Sequence, residues 1–170
     1  MEELREQVGP NIELRDGAIE DIPQIKELLM ESWLEHAQKE PEILDEETMK
    51  KEDVGSIYRE AYDNSDLFFV RIAEINGQFA GVIKVNIERP EPFWKHRQIA
   101  RVEDIAVVNE FRRQGVGRKL FRNAKKIAKE RGIEQIHSRV YTFNYPMIKL
   151  MESEGCHSPH QLYTTPTDKS

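Results

Sequence analysis

Hydrophobic and polar positions follow two periods along this chain, and together these periods predict a mixture of strands and helices. Alternation with a period of two predicts strands at 11–15, 67–75, 78–88, 98–108, 136–142 and 160–165. Asn76-Gly77, between the second and third of these strands, is typical of a tight β-hairpin. The middle of the chain is therefore predicted to be an antiparallel meander.

Four other segments have apolar residues at helical spacing. The predicted helices run from a cap at Asp21 to about Gln38, over roughly 47–62, from Val116 to a stop at Gly132, and from a cap at Asn144 to Gly155. This element order predicts an α+β (mixed α/β) fold whose sheet is antiparallel at first and locally parallel around the third helix. The 170 residues are expected to form a single domain, 1–170, with a core of about 11–165.

Composition excludes several classes of protein. Charged residues make up 33% of the chain and hydrophobic residues 38%, as in a well-solvated globular protein, and no apolar run of about 18 residues predicts a membrane span. The acidic N-terminus lacks the apolar core of a secretory signal. Cys156 is the single cysteine, which excludes an internal disulfide and favours a cytoplasmic location. The five histidines show no zinc-like spacing, so no metal is expected.

Charge is segregated along the sequence. Residues 112–131 hold nine Lys or Arg and one acid, whereas the rest of the chain holds 16 basic and 30 acidic residues, a net charge of −14. A basic helix on an acidic body suggests a local anionic ligand better than a nucleic-acid surface. For the outer lysines, a solvated helix face is an equally good explanation.

The basic segment begins with a glycine-rich turn between a strand and a helix. The turn consists of Arg112, Arg113, Gln114, Gly115, Val116 and Gly117. Such a turn binds anionic phosphate because glycine lets the backbone approach closely and the N–H groups of the helix end point at the anion. A P-loop is disfavoured because Arg118 and Lys119 follow Gly117 without a hydroxyl residue for magnesium, and Leu120 replaces the third glycine of a dinucleotide-binding turn.

The sequence resembles the GNAT superfamily of N-acetyltransferases, whose pattern is a strand, then Arg/Gln-x-x-Gly-x-Gly/Ala, then a helix. Arg112, Gly115 and Gly117 match this pattern in order. A second family segment, Asn-x-x-Ala-x-x-Leu-Tyr-Glu-x-x-Gly-Phe, is similar to 144–156. The resemblance covers roughly 11–165 and implies a twisted mixed sheet with flanking helices and two splayed parallel strands at the cofactor site.

The resemblance also implies that acetyl-CoA is the acetyl donor. Its pyrophosphate would lie on the amides of 113–118, and its pantetheine arm would pair with 105–107, where an N–H near Val107 would polarise the thioester carbonyl. Asn144, which is also a plain helix cap, would contact the pantetheine. The implied cofactor-binding residues are Ile105, Ala106, Val107, Arg112, Arg113, Gln114, Gly115, Val116, Gly117, Arg118 and Asn144.

Acetyl transfer to an amine requires a base that deprotonates the ammonium form, and Glu103 and Asp104 are the candidate catalytic residues. Regular strand alternation would send them to opposite faces, so at most one is expected to face the acceptor. The resemblance favours Glu103, and leaves Asp104 structural or bound to the substrate cation. Solvation at a strand end is the alternative for both.

One departure from the family pattern concerns the general acid. Met151 stands where many members have a tyrosine that protonates the leaving thiolate, and methionine cannot donate a proton. Water or Tyr145 could supply the proton, or the thiolate could leave unassisted. Cys156 is expected to be a small core residue, since this family transfers the acetyl group directly, without an acyl-enzyme.

The sequence indicates the acceptor less clearly than the acetyl donor. Trp33 and His36 are the candidate substrate-binding residues because the first helix roofs the acceptor site in this family, although their spacing also fits core residues. The expected acceptor is a primary amine on a small molecule or peptide. Neither nucleic acid nor membrane is an expected partner, and analogy with the family allows a homodimer. Two rival functions stay open: a non-catalytic acyl-CoA sensor, suggested by Met151, and a nucleic-acid binder that uses the basic helix.

Overall fold

The computed structural model describes residues 9–167, which divide into two compact units that meet in sequence between Arg139 and Val140. The elements are β1 (Ile12–Asp16), α1 (Ile22–Lys39), α2 (Glu46–Met49), α3 (Val54–Asp63), β2 (Phe68–Ile75), β3 (Gln78–Glu88), β4 (Ile99–Val107), α4 (Val116–Glu130) and β5 (Ile136–Ser138) in the first unit, and α5 (Tyr145–Ser153) in the second. The predicted single domain over 1–170 includes residues outside the described range and stays a prediction, as does the interpretation of the N-terminus.

The first unit is built on a five-stranded sheet in the order β1-β2-β3-β4-β5. Neighbouring strands are antiparallel except β4 and β5, which are parallel. Asn76 and Gly77, with φ of 52° and 74°, form the predicted hairpin turn between β2 and β3. The predicted α+β class, with its antiparallel meander and locally parallel edge, is confirmed.

Helices cover both faces of the sheet. On one face, α1 and α3 bury Ile25 and Tyr58 against Val82 of β3 and Ala106 of β4. On the other face, α4 lies close to β3 at Gly81, where an added Cβ would be 3.3 Å from the Val116 side chain. The absence of a side chain at Gly81 therefore lets the first turn of α4 approach the sheet, beside the end of β4.

Two helix starts differ from the prediction. The helix expected over 47–62 is interrupted, because Asp45 caps α2 and Asp53 caps α3 by accepting the N–H of Ser56 at 3.0 Å. Asp21 precedes α1 as expected, but its side chain makes no cap to that helix. Its carboxylate instead accepts hydrogen bonds from the Arg15 side chain and from the N–H of Ala18.

The strand predicted at 160–165 is wrong. This segment has no strand hydrogen bonding, and Leu162 and Tyr163 are 87% and 85% exposed. Pro159 and Pro166 bracket it and lack backbone donors, so a short, unburied segment has little to stabilise an extended ladder. The strand expected over 136–142 is likewise shorter and ends at Ser138.

Candidate active site

Strands β4 and β5 run side by side over a short distance and then part. Their parallel ladder covers three residue pairs, from Ala100 with Ile136 to Val102 with Ser138, whereas β4 continues to Val107. Among residues 9–167, no strand pairs with the last part of β4 on this side. The end of β4 therefore has one open backbone edge, as expected for splayed parallel strands.

The open edge of β4 carries backbone groups that point away from β3. The N–H of Val108, just beyond β4, donates to the carbonyl oxygen of Ala80 at 3.0 Å. Successive residues of an antiparallel strand direct their N–H and C=O groups to alternate edges. Ile105 and Val107 therefore direct theirs to the open side, which is the orientation that pairing with an extended ligand requires.

The segment 108–115 joins β4 to α4 and ends in a tight turn. Gly115 precedes the helix with a φ of 89°, and Arg113 also has a positive φ, 61°. The N–H groups of 116–118 belong to the first helical turn and lack intrahelical acceptors. Residues 112–115 are exposed to solvent. The turn thus combines outward backbone donors, the positive end of a helix dipole and two arginines, which together suit an anion.

Two side-chain hydrogen bonds order this turn, and one of them joins it to the end of β4. Arg112 Nε donates to the carbonyl oxygen of Val107 at 3.1 Å, and Gln114 Nε2 donates to the carbonyl oxygen of Glu110 at 2.9 Å. The first of these bonds fixes the Arg112 guanidinium next to the open strand edge. The turn is therefore joined to the end of β4 next to the open edge.

Among the predicted donor-site residues, the side chains of Ala106 and Val116 are buried, whereas Ile105 and Val107 direct backbone groups to the open edge. A donor-binding role for 105–107 and 112–118 stays a prediction.

A bulge in β4 changes the placement of the two candidate carboxylates. The ladder with β3 pairs Asp104 with Lys84 but Val102 with Val85, so Glu103 is an extra residue. The bulge therefore interrupts the alternation of side chains between the two faces of β4. The prediction that Glu103 and Asp104 point to opposite faces relied on this alternation, which does not hold here. Glu103 is exposed, and its negative charge contributes to raising the pKa of Asp104. The two carboxylates thus lie within electrostatic reach of each other.

Asp104 faces α1 and α3. The Tyr58 hydroxyl of α3 donates to Asp104 Oδ2 at 3.1 Å, and the Trp33 side chain of α1 is a second hydrogen-bond donor. Burial raises the pKa of Asp104 above its ordinary value, while the Lys84 charge and the two donors reduce the rise. Asp104 is therefore a carboxylate of increased basicity on the face of the sheet that α1 covers.

Two residues of this face were not among the sequence candidates. Tyr58 is fully buried, and burial, followed by the charge of Asp104, raises its pKa well above the ordinary value. Lys84 is 4% exposed and lies opposite Asp104 in the ladder. In the sequence, a single lysine within the largely apolar pattern of β3 could have indicated that Lys84 is a buried cation. Tyr58 had no signal beyond its helical spacing, because its role depends on a contact 46 residues away.

The two predicted acceptor-binding residues behave differently. Trp33 is half-buried and reaches Asp104, so the structure brings it together with the candidate carboxylates. His36 is also half-buried, and its Nδ1 donates to the carbonyl oxygen of Ser32 in its own helix at 2.7 Å. A substrate-binding role stays a prediction for both residues.

The second unit holds the remaining candidates. The Asn144 side chain accepts the N–H of Met147 at 3.3 Å, which confirms the predicted cap of α5. Its contact with a cofactor stays a prediction. Met151 is buried and Tyr145 is 68% exposed. Cys156 is half-buried, at the end of a turn in which its N–H donates to the carbonyl oxygen of Met151.

Metal-ligating side chains are dispersed in the described part of the chain. Across 9–167, no three or more His, Cys, Asp or Glu side chains are grouped so that they could hold a metal ion. The same residues contain no helix that is long and apolar enough to cross a membrane.

The family of this chain is shown by its sequence. Residues 22–155 match the model of the Acetyltransferase (GNAT) family. This match covers well over half of the chain, so the protein belongs to the GNAT acetyltransferase family. The expected family is therefore confirmed. No curated protein sequence matches the chain significantly.

Solved structures of GNAT-like proteins share the fold. A tetramutant of the BH1408 protein from Bacillus halodurans is similar with a TM-score of 0.78 at 17% identity, over 91% of this chain and 99% of that one. A predicted acetyltransferase from Clostridium acetobutylicum, solved with acetyl-CoA, gives 0.65 at 16% identity, over 92% and 96%. The aminoglycoside N-acetyltransferase AAC(6')-Iy, solved with CoA, gives 0.72 at 15% identity, over 95% and 97%. At these identities the likeness establishes the fold.

Proposed function

We propose that this protein is an acetyl-CoA-dependent N-acetyltransferase that transfers the acetyl group directly to a primary amine in a ternary complex. The observation that carries the proposal is the continuity of the open edge of β4 with the turn before α4, next to the Glu103–Asp104 pair. Family membership supports acetyl transfer as the chemistry. The similar structures solved with acetyl-CoA and with CoA support the choice of donor.

The donor side uses backbone groups and cations. The amides of 113–118 and the charges of Arg112 and Arg113 suit the pyrophosphate of acetyl-CoA, because a helix N-terminus stabilises anions. The N–H groups of Ile105 and Val107 and the C=O group of Ile105 suit the amides of the pantetheine arm, whereas the C=O group of Val107 already accepts from Arg112. The N–H of Val107 is then available to polarise the thioester carbonyl.

The proposed reaction is a direct transfer that requires no covalent enzyme intermediate. The amine nitrogen attacks the thioester carbonyl carbon, a C–N bond forms, and the C–S bond breaks as the CoA thiolate leaves. The nitrogen loses a second proton as it becomes an amide, and water carries this proton to the thiolate or to the solvent. Glu103 takes the ammonium proton, directly or through water, because it is the exposed member of the carboxylate pair. Asp104 holds negative charge next to the attacking amine. The thiolate, with a cysteine-like pKa of about 8.5, can leave without the missing tyrosine.

The acceptor side is formed by α1 above Asp104. Trp33 provides an aromatic wall near Asp104, and the acidic residues along α1–α3 favour a cationic amine. A small-molecule amine is supported by AAC(6')-Iy, which has also been solved with a bisubstrate analogue of CoA and acetylneamine. The same mechanism applies to an amine on a peptide.

The Glu103→Gln variant tests the proposed base. Gln keeps the size of the side chain but cannot accept the ammonium proton at neutral pH. We expect kcat to fall about a hundredfold or more, as for removal of a general base, with unchanged affinity for acetyl-CoA. The measurement is CoA release from acetyl-CoA in the presence of an amine, from pH 6 to 9, paired with calorimetric titration of acetyl-CoA.

Glu130→Gln is the matched control, because Glu130 is an exposed glutamate near the end of α4, away from the turn. Its turnover and pH profile are expected to equal those of the parent protein. If Glu103→Gln behaved in the same way as this control, Glu103 would not be the base. If Asp104→Asn lost activity and Glu103→Gln kept it, the general base would be Asp104.

A further inference from the structure

Lys84 is a buried cation in the middle of the sheet. It is 4% exposed, and most of the buried residues around it are apolar. Its Nζ donates to Asn86 Oδ1 at 3.2 Å and lies 5.1 Å from the centre of the Phe68 ring. Both of these partners are neutral. A buried ammonium is costly unless an opposite charge compensates for it.

The compensating charge is on the neighbouring strand. Lys84 and Asp104 are directly opposite each other in the β3–β4 ladder, so their side chains leave the same face. The bulge at Glu103 begins at this pair. The cation is therefore the cross-strand neighbour of the carboxylate that we assign to the acceptor site, at the point where the regular strand geometry ends.

Asp104 meets groups from four elements. Tyr58 of α3 and Trp33 of α1 are hydrogen-bond donors, Lys84 of β3 is a cation, and Glu103 on its own strand is an anion. Burial and Glu103 favour the protonated acid, whereas Lys84, Tyr58 and Trp33 favour the carboxylate. Of the groups that favour the carboxylate, Lys84 is the one with a full charge.

We propose that Lys84 is a positioning residue of the acceptor site: its buried ammonium keeps Asp104 ionised, so that the face under α1 presents negative charge to the acceptor amine. The role of Lys84 in the acceptor site rests on the proposed function. The electrostatic interaction between Lys84 and Asp104 is independent of that function. Lys84 itself is too deeply buried to touch a substrate. Its action passes through Asp104.

The direct test is the titration of Asp104, followed by carbon-13 NMR of aspartate-labelled protein and assigned with Asp104→Asn. Lys84→Met removes the charge and keeps the length of the side chain. We expect the Asp104 midpoint to rise by about one to two pH units in this variant and to return to the parent value in Lys84→Arg. Lys129→Met, which removes an exposed lysine of α4, is the control and should leave the midpoint unchanged.

Lys84→Gln provides a second neutral variant in case Lys84→Met does not fold, because its amide can replace the hydrogen bond to Asn86. It should shift the Asp104 midpoint in the same direction. A titration curve that superimposes on the parent curve in a folded neutral variant would overturn the proposal. The titration does not require the protein to turn over a substrate, so it tests the Lys84–Asp104 interaction independently of the proposed function.

The kinetic consequence is a second readout. In Lys84→Met, the acidic limb of the kcat/KM profile should move to higher pH while the affinity for acetyl-CoA stays constant. A merely structural role would lower activity evenly across the pH range. If the parent protein acetylates no amine but the NMR midpoint still moves, the proposed function fails and the Lys84–Asp104 interaction stands.

Discussion

Asp21 and Asp104 are both carboxylates withdrawn from water, yet their pKa values move in opposite directions. For Asp104, burial dominates and raises the pKa. For Asp21, burial also acts to raise the pKa, but the hydrogen bonds from Arg15 and from the N–H of Ala18 outweigh it, and the pKa is lowered. The difference follows from geometry. Arg15 binds both carboxylate oxygens of Asp21, at 2.8 and 2.7 Å, whereas Asp104 receives uncharged donors.

The lowered pKa of Asp21 predicts a pH-dependent stability. A carboxyl with a lowered native pKa contributes stability above its unfolded value of about 3.9 and loses it as the pH falls through the native value. We expect Asp21→Asn to lower the free energy of unfolding by about 2 kcal/mol at pH 7, less than for a fully buried pair because the Arg15 side chain is 40% exposed. Urea denaturation between pH 7 and 2 measures this difference.

The difference between the parent protein and Asp21→Asn should shrink below about pH 4. Glu13→Gln, which removes an exposed carboxylate of β1, is the control and should change the stability little at any pH. A destabilisation of Asp21→Asn that stayed constant down to pH 2 would contradict the assignment of this stability to the ionised pair.

At the scale of elements, the site depends on where β4 ends and α4 begins. The strand loses its parallel neighbour after Val102, and the helix begins nine residues after β4 ends, on a glycine with positive φ. Gly81 lets α4 pack close to β3 at that same level. The proposed donor site therefore combines the open strand edge with the helix N-terminus, and neither element alone would form it.

Gly115 and Gly132 offer a matched pair of substitutions at the two ends of α4. Both have positive φ, 89° and 73°, and an added Cβ would have nothing within 4 Å at either position. Alanine should therefore cost about 1 kcal/mol of stability at each, from backbone strain alone. Gly115→Ala should in addition weaken acetyl-CoA binding by about tenfold, because relief of the strain moves the amides of the turn. Thermal unfolding and calorimetry separate these effects.

Gly132→Ala should leave the affinity for acetyl-CoA unchanged, since it alters the far end of the same helix. An affinity equal to that of the parent protein in both variants would show that the turn before α4 is not part of the donor site. Equal losses of affinity would show that the substitutions act through general destabilisation.

The sequence predicted most of the fold because the signals were local. The hairpin at Asn76-Gly77, the cap at Asn144 and the turn at Gly115 each depend on neighbouring residues. The bulge at Glu103 and the contact between Tyr58 and Asp104 depend on pairing between distant segments, which periodicity does not encode. The strand predicted at 160–165 failed for a related reason, since a strand requires a partner as well as β-prone residues.

At the scale of the whole molecule, the strand segment 103–107 carries the Glu103–Asp104 pair at one end, and at the other end the bond from Arg112 to Val107 joins it to the turn before α4. This arrangement explains how a donor and an amine could meet at the end of β4. The homodimer and the cytoplasmic location remain predictions from the sequence. The central claim is the transfer itself, because Met151 also fits a protein that binds acyl-CoA without reaction.

The most direct test measures both products of the reaction. The parent protein is incubated with acetyl-CoA and a panel of polyamines, amino acids, aminoglycosides and short peptides, and free CoA thiol and acetylated amine are quantified together. The account predicts that at least one primary amine gains an acetyl group, with one CoA released per acetyl transferred, and that Glu103→Gln greatly slows both. Tight binding of acetyl-CoA with no acetylated product from any amine would contradict it and would identify the protein as a sensor.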